Sequence, residues 1–209
     1  MPDPFSWALA APYLAIAFIF AYLLGSIPFG LVLVKISGGG DIRNIGSGNI
    51  GATNVLRTGS KKLAILTLAF DLLKGTFAVL VGIQWGMDTA LTAGYGAILG
   101  HMFPIWLAFR GGKGVATALG VILGFSWILA LVTALIWLAT AFTFRISSLS
   151  ALIATAAAPV AAWFITYDMQ IVTFSAIIAV LIWWKHSSNI ARLLKDEEPR
   201  IKLGKSADK

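Results

Sequence analysis

Long apolar runs, separated by polar segments, occupy this sequence from near its first residue to about position 184. A helix needs roughly 20 predominantly apolar residues to cross the hydrocarbon core of a bilayer. About seven such runs can be placed, and they leave little room for a soluble domain. The sequence therefore predicts an all-α, polytopic membrane protein in which residues 1–209 form a single integral domain.

The uncharged stretch from Val115 to Phe144 decides how many spans there are. It is too long for one ordinary span, and Gly120, Gly124 and Ser126 divide it into a short helix near 115–124 and a longer one. The short helix rises only about 16 Å at 1.5 Å per residue, so it has to be buried among its neighbours. The predicted spans are about 5–24, which can continue towards 34, then 63–85, 89–109, 115–124, 126–144, 148–166 and 169–184.

Lysine and arginine fall almost entirely on one side of the membrane in this arrangement. Of the 16 such residues, all except Lys74 lie in the segments 35–62, 110–113, 145 and 185–209. Basic segments orient membrane proteins with those segments in the cytoplasm. The amino terminus is therefore predicted outside and the carboxyl terminus inside, with a disordered basic tail at 199–209. A six-span alternative, with 115–144 as one tilted helix, would place residues 110–113 opposite that tail.

Composition excludes several classes of function. The chain is 58% hydrophobic and 12% charged, far from the average of soluble globular proteins. Its net charge of +7 fits membrane topology and anionic head groups, so nucleic acid is not an expected partner. Because the sequence has no Cys, disulfides and thiol nucleophiles are excluded. His101 and His186 lack acidic neighbours at ligand spacing, so neither a metal nor a cofactor is expected.

The first polar cluster, residues 41–57, has the sequence DIRNIGSGNIGATNVLR. Its glycines allow backbone N–H groups to converge on an anion, and Arg43 and Arg57 offer planar forks that match phosphate oxygens. The alternative is a flexible loop between helices, but such spacers seldom mix arginine with isoleucine and valine. We therefore predict an anion site here. Further hydrogen-bonding side chains in the cluster are Ser47, Asn49, Thr53 and Asn54.

The second cluster runs from Gly100 to Thr117 and contains Arg-Gly-Gly-Lys-Gly directly before a predicted helix. Free N–H groups and the positive end of the helix dipole favour an anion at such a position. Lys113 adds a point charge, and Gly111, Gly112 and Gly114 are predicted to contribute backbone N–H groups. A simple glycine turn is an equally good interpretation of this segment alone. His101 lies deeper in the span and is predicted to be a structural hydrogen-bonding residue.

The third cluster, residues 185–194, places His186 and Asn189 three positions apart, on one face of a helix. The alternative is an interfacial amphipathic helix that only holds the tail to the head groups. Asp71 and Lys74 have the same spacing inside the second span, where charges are usually paired. We predict a structural ion pair for them, because no further acidic residue continues a proton relay.

Taken together, these clusters resemble the bacterial acyl-phosphate-dependent glycerol-3-phosphate acyltransferases, the PlsY family. The resemblance covers almost the whole chain. It implies a seven-span helical fold in the bacterial inner membrane, with the active site facing the cytoplasm. The implied reaction moves a fatty acyl group from acyl phosphate to the 1-hydroxyl of glycerol 3-phosphate, giving lysophosphatidic acid and phosphate for phospholipid synthesis. The motifs that carry the resemblance are 25–30, 43–57, 100–117 and 186–194.

The resemblance also implies roles for individual residues. Catalytic roles fall on Ser47, Lys113, His186 and Asn189, and substrate contacts fall on Ser47, Arg57, Lys113, Ser148 and Asn189. The anion-binding chemistry of the first two clusters predicts further substrate contacts, which are Arg43, Asn49, Thr53, Gly111, Gly112 and Gly114. The third motif departs from the commoner family pattern at 187–188 and 195–198, which bears on the structural role of the acidic tail residue. Expected partners are acyl phosphate, glycerol 3-phosphate and membrane lipid; the oligomeric state is left open.

The sequence by itself leaves two candidates for the catalytic base and a second candidate for the class of function. The His-x4-Asp signature of acyl-CoA-type acyltransferases is absent, so the base is either His186 or a phosphate oxygen of glycerol 3-phosphate, and we favour the second. A transporter for a small phosphorylated solute would also suit basic loops and a broken helix. It should carry polar residues on both sides of the midplane, and the outer halves of these spans carry almost none. A purely structural anchor leaves the polar clusters unexplained.

The charge asymmetry yields a topology that can be tested directly. Reporter fusions after Asp88 and after Lys113 are expected to report opposite sides of the membrane, because one span separates them in the seven-span arrangement. A fusion at the carboxyl terminus, predicted to be cytoplasmic, serves as the reference for the Lys113 fusion. Fusions after Asp88 and Lys113 that report the same side would contradict the arrangement.

Overall fold

The computed structural model describes residues 7–201, and every regular element within them is a helix, which confirms the all-α prediction. Short 3-10 turns join several of the helices. The ten α-helices are α1 Trp7–Gly25, α2 Phe29–Ile36, α3 Ala52–Val55, α4 Lys61–Gly82, α5 Met87–Met102, α6 Val115–Phe125, α7 Trp127–Phe144, α8 Ser147–Thr166, α9 Met169–Lys185 and α10 Ser187–Leu193.

Within the described residues, five segments are long and apolar enough to cross a membrane. The α9–α10 pair, bent by 66°, makes a sixth if it is counted as one span. The predicted division of 115–144 is confirmed, because α6 ends at Phe125 and α7 begins at Trp127. The seven-span count and the orientation of the termini stay predictions. The five segments are Leu9–Ile36, Lys61–Trp85, Met87–Leu107, Trp127–Phe144 and Ser147–Thr166.

Side-chain caps explain where several helices begin. The Ser60 hydroxyl accepts a hydrogen bond from the Leu63 N–H at 3.3 Å, at the start of α4. The Asp168 carboxylate accepts one from the Gln170 N–H at 2.8 Å, at the start of α9. Each cap satisfies a backbone donor that has no partner inside the helix. Both caps lie next to a loop, so the helix boundaries are specified locally.

The chain divides into two compact units, residues 1–130 and 131–209. In the first, α5 packs against α1 and α4, and α4 packs against α6. Glycines allow these contacts, because a Cβ on Gly100 would collide with the Tyr22 backbone and one on Gly120 with the Leu72 backbone. Close packing at small residues is typical of membrane helices. Gly96 and Gly124 also have close neighbours, the Phe18 backbone and the Val79 side chain.

The second unit is described by itself. Helix α8 packs against α9, and the Trp183 indole N–H donates to the Leu152 carbonyl at 3.2 Å across this contact. Helix α10 follows α9 after a bend of 66° and contacts it. Of the tail predicted to be disordered, residues 199–201 are described, and the Ile201 N–H donates to the Arg145 carbonyl at 2.6 Å. Residues 202–209 lie outside the described part of the chain.

Candidate functional site

The first polar cluster sits on a small apolar core of its own. Ile42, Ile50 and Val55, which alternate with its polar residues, are at most 2% exposed and pack with Val34 and Ala64. The polar residues between them are largely exposed. Burial of these apolar side chains stabilises the loop conformation. The segment is therefore an anchored loop and not a flexible spacer.

The Asn54 side chain organises this loop. It is 1% exposed. Its amide oxygen accepts hydrogen bonds from the Ser47 N–H at 3.1 Å and the Ser47 hydroxyl at 3.4 Å. Its amide nitrogen donates to the carbonyls of Ile42 at 2.7 Å and Asn49 at 2.8 Å. A buried amide with this many partners holds the backbone in one arrangement, so the predicted catalytic residue Ser47 has a defined position.

Arg57 lies beside the same amide. A Cβ built on Gly46, which has φ +57°, would collide with both the Asn54 amide oxygen and the Arg57 guanidinium. Glycine is thus required at position 46 for its positive φ and for the space that Arg57 occupies. The Arg57 side chain is exposed. The structure therefore brings Ser47 and Arg57 together around Asn54.

Arg43 differs from Arg57 because it already has an anionic partner. Its Nε lies 3.0 Å from each carboxylate oxygen of Asp41, and its Nη2 lies 2.5 Å from Oδ2. This hydrogen bonding by Arg43 lowers the pKa of Asp41 to about 2. A carboxylate occupies the planar fork that was predicted to bind phosphate. The substrate role of Arg43 stays a prediction, and a phosphate would have to share the guanidinium with Asp41.

The glycine segment before α6 corrects one expectation. The Gly111 N–H donates to the Met102 carbonyl at 3.2 Å, and the Gly112 N–H donates to the His101 carbonyl at 3.0 Å. These two N–H groups, predicted to be free for an anion, are instead paired with the last turn of α5. The prediction was wrong because it considered the loop without its packing partner. Gly114, with φ +82°, leads into α6, and the half-buried Lys113 lies directly before it.

In the second unit, the Glu198 carboxylate joins three polar side chains. Its Oε1 accepts from the Ser148 hydroxyl at 2.7 Å and the Asn189 amide at 2.6 Å. Its Oε2 accepts from the Arg192 Nε at 2.6 Å. Burial by itself raises the pKa of Glu198, but the hydrogen bonds from Asn189, Ser148 and Arg192 together lower it below its usual value of 4.5. The structure thus brings Ser148 and Asn189 together through an acidic residue of the tail.

His186 lies at the junction of α9 and α10 and is 3% exposed. It caps α10 and so lies just outside the helix that contains Asn189. Its Nδ1 lies 2.8 Å from the Ile182 carbonyl, which can only accept, so Nδ1 carries a proton. This bond orients the imidazole and places the basic lone pair of the neutral ring on Nε2. The group that accepts from Nδ1 of His186 is therefore the backbone carbonyl of Ile182.

Comparison with known proteins identifies the family. The sequence model of the family described as glycerol-3-phosphate acyltransferase matches residues 15–196. A glycerol-3-phosphate acyltransferase of Rhizobium meliloti is 53% identical over 199 residues, covering 95% of this chain and 98% of the relative. The chain belongs to the glycerol-3-phosphate acyltransferase family. A glycerol-3-phosphate acyltransferase of Brucella anthropi is 56% identical over 185 residues, covering 88% of this chain and 92% of the relative.

Solved structures of a glycerol-3-phosphate acyltransferase agree with this assignment. PlsY, an integral membrane glycerol 3-phosphate acyltransferase, has a crystal structure in its glycerol 3-phosphate form. It is 40% identical to this chain with a TM-score of 0.86, covering 90% of this chain and 96% of PlsY. Its lysophosphatidic acid form is 39% identical with a TM-score of 0.85, covering 90% and 95%. The resemblance to the PlsY family and the assignment to an integral membrane protein are thereby confirmed.

Two organising residues of this acyltransferase were not among the predicted site residues. Asn54 was predicted only as a further hydrogen-bonding side chain of the first cluster, and its burial could not be read from a glycine-rich loop. Glu198 lies in an acidic run with Asp196 and Glu197. Only the packed structure selects Glu198, because it alone of the three is hydrogen-bonded to Ser148 and Asn189. The sequence signal was the presence of acidic residues just beyond the third motif.

The Glu198 hydrogen bonds predict how stability responds to acid. A carboxyl whose folded-state pKa is lowered contributes stability above its unfolded pKa and loses it as the pH falls through the folded value. The melting temperature of the detergent-purified protein should therefore fall more steeply below about pH 4.5 than that of Glu198→Gln. Glu197→Gln, at an exposed neighbouring position, should keep the wild-type slope. Parallel curves for wild type and Glu198→Gln would show that Glu198 is not linked to folding.

Proposed function

We propose that this protein transfers a fatty acyl group from acyl phosphate to the 1-hydroxyl of glycerol 3-phosphate, giving lysophosphatidic acid and inorganic phosphate. The observation that carries the proposal is the anchored loop in which Asn54 holds Ser47 beside an exposed Arg57, in a chain of this family. Related PlsY structures are described as glycerol 3-phosphate and lysophosphatidic acid forms, which supports this acceptor and this product. We further propose that the protein lies in the bacterial inner membrane with its active site facing the cytoplasm.

Charge complementarity supports two phosphorylated substrates. Each carries a phosphate, and the predicted site offers cations on two different segments, Arg57 and Lys113. Arginine can bind phosphate through two parallel hydrogen bonds, whereas lysine acts as a point charge. Arg57 is exposed and its guanidinium lies against Gly46, which suits the first kind of contact. The Glu198 cluster holds Ser148 and Asn189, the predicted substrate contacts of the second unit, in a defined arrangement.

The proposed reaction is a direct acyl transfer. The 1-hydroxyl oxygen forms a bond to the acyl carbonyl carbon, the bond from that carbon to the phosphate oxygen breaks, and phosphate leaves with the electron pair. Because acyl phosphate is already activated, the protein has mainly to position the reactants and stabilise developing negative charge. Arg57, Lys113 and the Ser47 hydroxyl are the groups proposed to do so.

The hydroxyl proton needs an acceptor, and we propose a phosphate oxygen of glycerol 3-phosphate itself. His186 is the alternative. Its Nδ1 proton is held by the Ile182 carbonyl, a neutral partner that stabilises imidazolium less than a carboxylate would. We therefore give His186 the role of binding and orienting substrate, together with Asn189.

The identity of the donor is tested with the purified full-length protein. Glycerol 3-phosphate is offered with acyl phosphate, acyl-CoA or acyl carrier protein as the alternative donor, and lysophosphatidic acid formation is measured. Turnover with acyl phosphate alone is expected. Turnover with acyl-CoA but not with acyl phosphate would refute the donor assignment, and no turnover with any donor would refute the activity.

The two proposed phosphate cations should be essential for turnover. Arg57→Ala and Lys113→Ala each remove a charge-assisted hydrogen bond worth about 1.5–3 kcal/mol, so kcat/KM should fall roughly tenfold to a hundredfold. Arg57→Lys should also be impaired, because it loses the planar fork. Lys61→Ala, at the exposed first residue of α4, is the matched control and should keep wild-type kinetics. Near-normal kinetics in both test variants would refute their phosphate roles.

The role of His186 is resolved by its variants. If substrate phosphate takes the proton, His186→Ala should lose activity, while His186→Gln or His186→Asn should recover a measurable part through their amides. The decisive measurement is kcat/KM against pH in His186→Gln. An acidic limb that persists, with appreciable turnover, comes from substrate phosphate, whose second pKa is about 6. Loss of that limb together with near-complete inactivity would show that His186 is the base.

A further inference from the structure

A buried charged cluster joins α4 to α5 and has no role in the chemistry proposed above. The Lys74 ammonium lies 2.8 Å from Asp71 Oδ1, which confirms the predicted ion pair. It also lies 3.0 Å from His101 Nδ1 and donates to the Ile27 carbonyl at 3.0 Å. His101 Nδ1 lies 3.5 Å from Asp71 Oδ1. The three side chains are at most 4% exposed.

Stability alone does not account for such a cluster. Removing charges from water is expensive, and replacing a buried ion pair by packed apolar residues is often neutral or stabilising. Charges inside a membrane span are, in addition, a recurrent mark of function. The cluster is therefore expected to hold a functional part of the molecule in place.

The opposite edge of the His101 ring faces the glycine segment before α6. A Cβ on Gly112 would collide with His101 Nε2, and one on Gly111 would collide with the His101 carbonyl oxygen. The Gly112 N–H also donates to that same carbonyl at 3.0 Å. Gly112 therefore rests on both the ring and the backbone of His101. The imidazole separates this backbone from Asp71.

Lys113 follows Gly112 directly, and α6 begins two residues later. Whatever fixes the Gly112 backbone thus also fixes where the Lys113 side chain begins. A hydrogen-bonded imidazole is a rigid support, since Asp71 and Lys74 of the neighbouring helix α4 set its orientation. Apolar packing is not directional, so by itself it would fix the orientation of the Gly112 backbone less tightly.

We propose that His101, held by Asp71 and Lys74, is a positioning residue that sets the geometry of Gly111–Lys113 and thereby the affinity for a phosphorylated substrate. None of the three residues of the buried cluster has to touch substrate for this purpose. The inference rests on the proposed function for its kinetic readout. The inference goes beyond the proposed function because it gives the buried cluster the role of positioning Lys113.

The first test compares kinetics of Asp71→Asn and His101→Gln with wild type, using the full-length protein in detergent. Both variants keep hydrogen-bonding groups of similar size. The KM for glycerol 3-phosphate or for acyl phosphate should rise by about two- to thirtyfold, the range for residues that act without touching the ligand, with a smaller change in kcat. Thr67→Val is the matched control, because Thr67 is buried on α4 and donates only to the Leu63 carbonyl of its own helix. A lowered melting temperature with both KM values unchanged would overturn the proposal.

The second test uses the contact between Gly112 and the imidazole. Gly112→Ala should raise KM by pushing the ring aside, and combining it with His101→Ser should relieve part of that effect. Strongly non-additive changes in KM are therefore expected in the double-mutant cycle. Strictly additive changes would show that the ring does not support the loop.

A binding measurement separates this proposal from the enzymatic one. Glycerol 3-phosphate should raise the melting temperature of the wild-type protein by mass action, without any turnover. The same concentration of glycerol 3-phosphate should raise the melting temperatures of Asp71→Asn and His101→Gln by less than that of wild type. The melting temperature of Thr67→Val should rise by the wild-type amount. If glycerol 3-phosphate stabilises the wild-type protein but no acyl transfer is detected, the proposed function fails. The positioning role of His101 is then tested by the melting-temperature shifts of the variants alone. Equal shifts in all four proteins, with equal KM values, would refute it.

Discussion

Everything in this structure depends on keeping polar groups satisfied within largely apolar surroundings. An unpaired backbone or charged group there costs several kcal/mol. Helices satisfy the backbone within each segment, and the described residues accordingly contain no strand. The same constraint pairs Asp71 with Lys74 and brings glycines to the helix contacts, where backbones approach closely. The polar chemistry is concentrated in a few segments that lie between the apolar helices.

Two of the polar segments are each organised by one hydrogen-bonding side chain. Asn54 holds the first cluster through bonds to Ile42, Ser47 and Asn49, and Glu198 holds Ser148, Asn189 and Arg192. Both groups hold their neighbours through hydrogen bonds, but the neutral amide both donates and accepts, whereas the carboxylate only accepts. Acid therefore acts on the Glu198 cluster through the lowered pKa of that carboxyl, whereas Asn54 does not titrate.

Placement also distinguishes cations that look equivalent in sequence. Arg43 and Arg57 lie on the same loop, but Arg43 is paired with Asp41 while Arg57 is exposed beside Gly46. Lys74 is buried and neutralised within a helix, whereas Lys113 lies at the start of one. Carboxylates hold Arg43 and Lys74, whereas Arg57 and Lys113 are the two cations proposed to bind substrate phosphate.

Sequence alone determined the features that depend on local pattern. Apolar runs specify helices, Gly120, Gly124 and Ser126 specify the break before α7, and a spacing of three residues specifies the Asp71–Lys74 pair. The ordered motifs also determined the family. Tertiary structure decided the partners: Ser148 and Glu198 are 50 residues apart, and the N–H groups of Gly111 and Gly112 are paired with carbonyls of α5. Helix propensity and side-chain spacing act over a few residues, whereas the partner of a hydrogen bond depends on which helices pack together.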